Sequence, residues 1–262
     1  MRRNITTALT VGLIATIGFA GAQTLHAQES VYSVNVVGFQ KVDVSAANQG
    51  GLGLMSMPFD KDSPYIDRVV GTNGTAGSTA FTADNVIMFD TDTQTMRTFW
   101  LFSHTNPEFD RRWRDSAGFA TNVFIPPGTG YWYRNRAEDD DHTVTLVGDV
   151  VMDDEIAVPI IEGLQILSYP FSSSAVLDNM DLTNGAAGST AFDADNVIIF
   201  DNDSGMFKTY WLFSHTNPEF DRRWRDSSGF ATNVYINPGE GFWYRSRSET
   251  SFEWTASRPY DL

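Results

Sequence analysis

Apolar and polar positions alternate along this chain in short runs separated by clusters of Asp, Asn, Gly, Ser and Thr, the period-two pattern of half-buried strands. "VYSVNVVGF" (31–39) has the β-branched and aromatic bias of a strand. "NVIMFD" and "MRTFWLF" are joined by "TDTQT", which predicts a hairpin, and "DNDSG" occupies the same turn further along. "NVFI" and "GYWYRNR" flank "PPGT" and predict a second hairpin. Alternation in "GYWYRNR" puts Trp132, Arg134 and Arg136 on one face and Tyr131, Tyr133 and Asn135 on the other.

One segment breaks the alternation. In "HTNPEFDRRWRD" (104–115), Asn106 can cap a helix, Pro107 suits its first position and Gly118 can end it. A helix here would put Phe109 and Trp113 on one face. It would also pair Glu108 with Arg112, Asp110 with Arg114 and Arg111 with Asp115 at i,i+4. "SPYIDRVVG" (63–71) predicts a second short helix, capped by Ser63 and closed by Gly71.

The pattern then repeats. "TNGTAGSTAFTADNVIMFD" from Thr72 returns as "TNGAAGSTAFDADNVIIFD" from Thr183, and "HTNPEFDRRWRD" returns unchanged at 215–226. "PPGTGYWYRNR" answers to "NPGEGFWYRSR", "GLGLMSMPF" (51–59) to "GLQILSYPF" (163–171), and "VVGFQKVDV" (36–44) loosely to "VVMDDEIAV" (150–158). A duplication of this length sets the architecture before any single motif does. The expected fold is all-β: two tandem homologous β-sandwich or small-barrel domains, 28–148 and 149–262, each with a short helical or loop insertion.

Composition bounds the partners. The formal net charge of −15 argues against nucleic acid, which needs a basic face. The absence of cysteine excludes disulfides and thiolate chemistry, so the fold rests on packing. Arg2 and Arg3, the run "ALTVGLIATIGFAGA" and small residues before Ala22 or Ala27 read as a secretory signal peptide over 1–27. No later apolar stretch approaches the roughly 20 residues of a membrane-spanning helix. An exported protein at the cell surface, in the periplasm or outside the cell is expected, without a transmembrane segment in the mature chain.

"VYSVNVVGFQKVDV" together with "PGTGYWYRNR" and "PGEGFWYRSR" resembles a family of exported β-repeat proteins of verrucomicrobial and related bacteria. The resemblance implies export and a tandem β architecture, and brings no catalytic or binding residues with it.

Candidate chemistry is sparse. The chain has no G-x-S-x-G, no H-E-x-x-H and no phosphate loop ending in Lys-Ser/Thr. Paired acids alone leave a carbohydrate-active enzyme as an alternative. Asp90, Asp92, Asp201 and Asp203 stand at alternate positions, as in Ca²⁺ loops, although Asp and Asn are also ordinary turn formers. The duplicated segment offers Trp113, Arg111, Asp115 and His104, with Trp224, Arg222, Asp226 and His215, as a candidate ligand site. A tryptophan face beside polar groups is a sugar platform. The competing reading is a structural part that each domain needs. The expected function is an exported non-catalytic binding or structural module contacting polysaccharide or a cell-envelope component. A self-assembling surface or matrix protein is the other alternative.

Overall fold

The computed structural model describes residues 36–201 and 204–260. The signal-peptide assignment, the first five residues of "VYSVNVVGF" and Asp203 therefore lie outside the described residues. The protein is all-β, and its strands pair antiparallel.

In the first half the strands are β1 (Val37–Val44), β2 (Leu52–Ser56), β3 (Asn85–Asp90), β4 (Thr95–Phe102), β5 (Arg112–Arg114), β6 (Gly130–Arg134) and β7 (His142–Asp149). The second half holds β8 (Glu155–Ile160), β9 (Gly163–Ser168), β10 (Ala175–Val176), β11 (Asn196–Asp201), β12 (Met206–Phe213), β13 (Arg223–Arg225), β14 (Tyr235–Ile236), β15 (Gly241–Ser246) and β16 (Phe252–Ser257). Two five-stranded sheets share one order, β2-β6-β3-β4-β5 and β9-β15-β11-β12-β13. In each half the first strand pairs with the last, β1 with β7 and β8 with β16, as a two-stranded ribbon.

Each ribbon covers one face of its own sheet. In the first half Val44, Val144 and Leu146 of the ribbon meet Val86, Phe99, Leu101, Tyr131 and Tyr133 of the sheet. In the second, Val158, Ile160 and Trp254 meet Val197, Tyr210, Leu212, Phe242 and Tyr244. The opposite faces of the two sheets pack on each other through Leu54, Trp132 and Ile166, flanked by Ile87, Phe89, Phe200 and Trp243. The alternation read in "GYWYRNR" thus feeds two cores, with Tyr131 and Tyr133 turned to the ribbon and Trp132 to the other sheet.

That central contact is reciprocal. Phe89 meets Trp243 edge-on at 5.1 Å, and their repeat equivalents Phe200 and Trp132 meet at 4.9 Å. The Ser56 N–H donates to the Gly239 carbonyl at 2.9 Å, and the Ser168 N–H donates to the Gly128 carbonyl at 3.0 Å. Gly130 and Gly241 face each other so closely that a Cβ on either would come within 3.4 Å of the other's Cα. These are the contacts of a two-fold dimer made within one chain.

Four local expectations are corrected. Residues 104–115 form no helix: a turn over 107–111 leads into β5, and Arg111 takes a left-handed φ of 56° that a helix cannot contain. None of the three i,i+4 charge pairs is an ion pair among the described residues; Asp115 pairs instead with Arg97 at 3.0 Å. "NVFI" and "GYWYRNR" form no hairpin, because β6 pairs with β2 and β3, while Phe124 bridges to Tyr65 and β14 pairs with β10. The intervening turn sends its Gly128 carbonyl to the other half instead. The first strands also correspond with a shift of two residues, Val44 with Ile160, since each pairs opposite the start of its ribbon's last strand, at His142 and Phe252.

The short helix of "SPYIDRVVG" forms as α1 (Ile66–Val69), entered from Tyr65 without a side-chain cap. Gly71, at φ 77°, leaves it. Its second-half counterpart is a single 3₁₀ turn over Leu177–Asn179. The hairpins β3–β4 and β11–β12 form as the pattern predicts.

Candidate functional site

The duplicated segment is a lock between a loop and the core. The Asn106 side chain accepts the Glu108 N–H at 3.0 Å, His104 Nδ1 accepts the Asn106 N–H at 2.9 Å, and Asp110 accepts the His104 N–H at 2.8 Å. The turn is thereby closed on itself, and Phe109 lies parallel to Phe119 at 5.6 Å. After the reversal at Arg111, that guanidinium reaches the carbonyls of Thr72 at 2.8 Å and Gly74 at 2.6 Å. Trp113 enters the core and donates from Nε1 to the Gly71 carbonyl at 2.8 Å. Asp115 accepts the N–H groups of Ala117 and Gly118. Its burial would raise its pKa, but Arg97 and those two N–H groups outweigh this and hold it below the usual carboxylate range.

The second copy repeats the arrangement. His215, Asn217 and Asp221 close the turn. Arg222 clamps the carbonyls of Thr183 and Gly185, and Trp224 donates to Leu182 at 3.1 Å. Asp226 holds Ser228 and Gly229, and these bonds, led by the Ser228 hydroxyl, lower its pKa. Trp113 and Trp224 are therefore not surface platforms. Both rings are buried, because each carries an N–H that a carbonyl under the loop satisfies and a body that the aromatic core accepts.

A second duplicated constellation has no motif to announce it. Asp84 and Asp195 are completely buried. Asp84 accepts the Tyr133 hydroxyl at 2.6 Å, the Thr75 N–H at 2.9 Å and the Arg136 N–H at 2.7 Å. Asp195 takes the Tyr244 hydroxyl and the Arg247 N–H, both at 2.6 Å. Burial, then the neighbouring carboxylate, pushes both tyrosines far above their ordinary pKa, so they stay protonated donors. Three donors on Asp84 and two on Asp195 make each buried carboxylate a structural knot. The only sequence signal is the shared "ADN" (83–85 and 194–196) ahead of an apolar strand.

The two halves diverge beside the tryptophan. In the second, Arg223 grips Asp178 through Nε at 2.7 Å and Nη2 at 2.5 Å, and the Trp224 backbone N–H donates to the same carboxylate at 3.0 Å. The Asp178 side chain is only 6% exposed. In the first, Arg112 lies over Phe119 at 4.7 Å, as Arg223 lies over Phe230 at 4.6 Å. Yet among the described residues Arg112 forms no ion pair, and the Trp113 backbone N–H has no side-chain acceptor. Asp67, the counterpart of Asp178, is exposed on α1. A groove of about 240 Å³ remains, lined by Tyr65, Asp67, Arg68, Thr72, Arg112, Trp113 and Thr121.

The acidic turns serve the backbone. Asp90 accepts the Thr93 N–H at 2.9 Å, which lowers its pKa, and Asp201 accepts the Ser204 N–H at 3.2 Å and faces Lys208 at 4.0 Å. Asp92 is exposed. Among the described residues no three His, Asp or Glu side chains converge as a metal-ligand set, and no helix is long and apolar enough to cross a membrane.

At the surface, Phe81 and Phe192 are repeat equivalents in "GSTAF", exposed by 85% and 83%. On the outer face of the first ribbon, Phe39 is 71% exposed and sits opposite Val147, with Val37 two residues before it. Comparison with known proteins finds no matching family model, curated protein or solved structure.

Proposed function

We propose that this is an exported, non-catalytic binding module that holds polysaccharide or another cell-envelope polymer through two equivalent contacts. The observation that carries this reading is the pair Phe81 and Phe192. A single exposed apolar ring is ordinary on a protein surface. The same ring held in solvent in both copies contributes nothing to either core, and an aromatic face suits the C–H surface of a sugar. Beside it in sequence stand Ser78, Thr79 and Thr82, and in the second copy Ser189, Thr190 and Asp193, which can take the hydroxyls. Two weak contacts on one chain gain by avidity on a repeating polymer. The resemblance to exported repeat proteins and the acidity of the chain are in line with a neutral polymer outside the cell.

The test is retention of the mature protein on insoluble polysaccharides and a glycan array, with and without calcium. Phe81→Ala or Phe192→Ala should weaken retention, and the double variant should abolish it with no change in melting temperature. Full retention by a folded double variant would reject the reading. A second reading, self-assembly, has its own observation in the exposed Phe39, Val37 and Val147 of the β1–β7 ribbon. Sedimentation velocity distinguishes it: an assembling protein forms concentration-dependent species that Phe39→Ser removes.

A further inference from the structure

We infer that the groove beside Arg112 binds the carboxylate of a hexuronic acid residue, and that Asp178 occupies the equivalent place in the second half as a built-in stand-in. The second half displays the bound state. One carboxylate there takes two guanidinium N–H groups of Arg223 on its Oδ2 and the backbone N–H of Trp224 on its Oδ1, charge-assisted bonds that leave neither oxygen unpaired. The first half has the same donors on the same residues of an identical segment, with the carboxylate removed and a groove in its place. It also has a cation the second half lacks, since Arg68 lines the groove where the second half has Asn179.

Size and lining narrow the ligand. About 240 Å³ is below the range of ordinary small-molecule pockets, so it admits one sugar-sized group. Tyr65, Thr72 and Thr121 are among the lining residues, hydroxyl-bearing types that suit a ring carrying hydroxyls beside its acid. The net charge of −15 repels a polyanion, so an isolated uronate in a neutral glycan fits better than a polyuronate. Arg111 also borders the groove, but its guanidinium is committed to Thr72 and Gly74. Asp67, itself in the lining, is a local competitor for Arg112.

The groove does not include Phe81 or Phe192, so its failure and theirs are separable. Calorimetric titration of the full chain with glucuronate and galacturonate should give one site per chain, with glucose not bound. Arg112→Ala should weaken binding at least about tenfold, since a charge-assisted contact through two N–H groups is lost. Arg112→Lys should weaken it in the same direction, and Asp67→Asn should tighten it. Arg223→Ala should leave binding intact, and Asp178→Ala should raise the stoichiometry from one to two. If Asp178→Ala does not fold, the Arg112 and Asp67 variants still decide. Equal binding of glucose, indifference to Arg112→Ala, or two sites in the unaltered chain would overturn the inference. Tighter binding of a glutamate-containing tripeptide than of either uronate would overturn the saccharide assignment.

Discussion

The segments 104–115 and 215–226 are the same residues in two neighbourhoods, and the neighbourhoods decide what they do. Wherever the segment touches parts shared by both halves, its contacts coincide: the arginine clamps a loop, the tryptophan enters the core, the aspartate holds the following turn. Where it meets unlike partners the halves separate. Asp67 lies in the first turn of α1, which keeps its carboxylate in solvent. Asp178 lies on a lone 3₁₀ turn entered from β10, which turns its carboxylate inward. Identity of sequence marks the shared scaffold, and difference beside it marks where the halves are built differently.

Four measurements would break or sharpen that contrast. The largest effect belongs to the shared part. Trp113→Ala and Trp224→Ala should each cost about 4 kcal/mol, from the cavity and the carbonyl left unpaired. Denaturant melts should show the two losses equal within about 1 kcal/mol, the accuracy of such comparisons between like core sites. A loss below this for Trp113 alone would mean that the halves are not built alike. Next comes the divergent carboxylate. Asp178→Ala should cost about 2 kcal/mol, less than a fully buried pair because Arg223 is partly exposed, whereas Asp67→Ala should stay within about 0.5 kcal/mol.

A smaller contrast concerns the ring at the start of each ribbon's last strand. His142 lies parallel to Tyr133 at 5.2 Å, and its second-half counterpart is Phe252. Burial lowers the His142 pKa, so the folded state prefers the neutral ring. Its contribution is present above the unfolded value of about 6.5 and is lost as pH falls through the lower folded value. Melting temperature should therefore decline in that window, and His142→Phe should flatten the decline. The smallest effect is expected at Arg97, whose pair with Asp115 is exposed. Arg97→Ala should change stability by less than about 0.5 kcal/mol and lose even that in high salt. NMR titration of Asp115 should show its pKa rising in that variant.

What could be read from the sequence was whatever depends on neighbours along the chain. The β3–β4 and β11–β12 hairpins follow from strict alternation around an Asp-rich turn, and Tyr131 and Tyr133 fall opposite Trp132 as the pattern requires. The helix at 104–115 was misread because Asn106 caps a tight turn with the bonds that would begin a helix. The charges that looked like i,i+4 partners find others: Asp110 takes the His104 N–H of its own turn, Asp115 the N–H groups of the next turn, and Arg111 carbonyls 37 and 39 positions away. Asp84 was missed for the same reason. Its importance lies in Tyr133, 49 residues on, and nothing adjacent to it reveals that partner.

The ribbons have a kinetic consequence. Each half is fastened by pairing its first strand to its last, so that Asp43 and Thr143, 100 residues apart, lie side by side. Such closure comes late in folding, since a long loop must be ordered before the contact rewards it. During synthesis β1 emerges early and stays without its partner until β7 follows, leaving the core-facing side of the first sheet uncovered. The chain therefore behaves as two clasps that snap shut only when their far ends arrive. Truncation before β16 would remove Trp254 and leave β8 without its partner, so the second would spring open while the first stayed fastened.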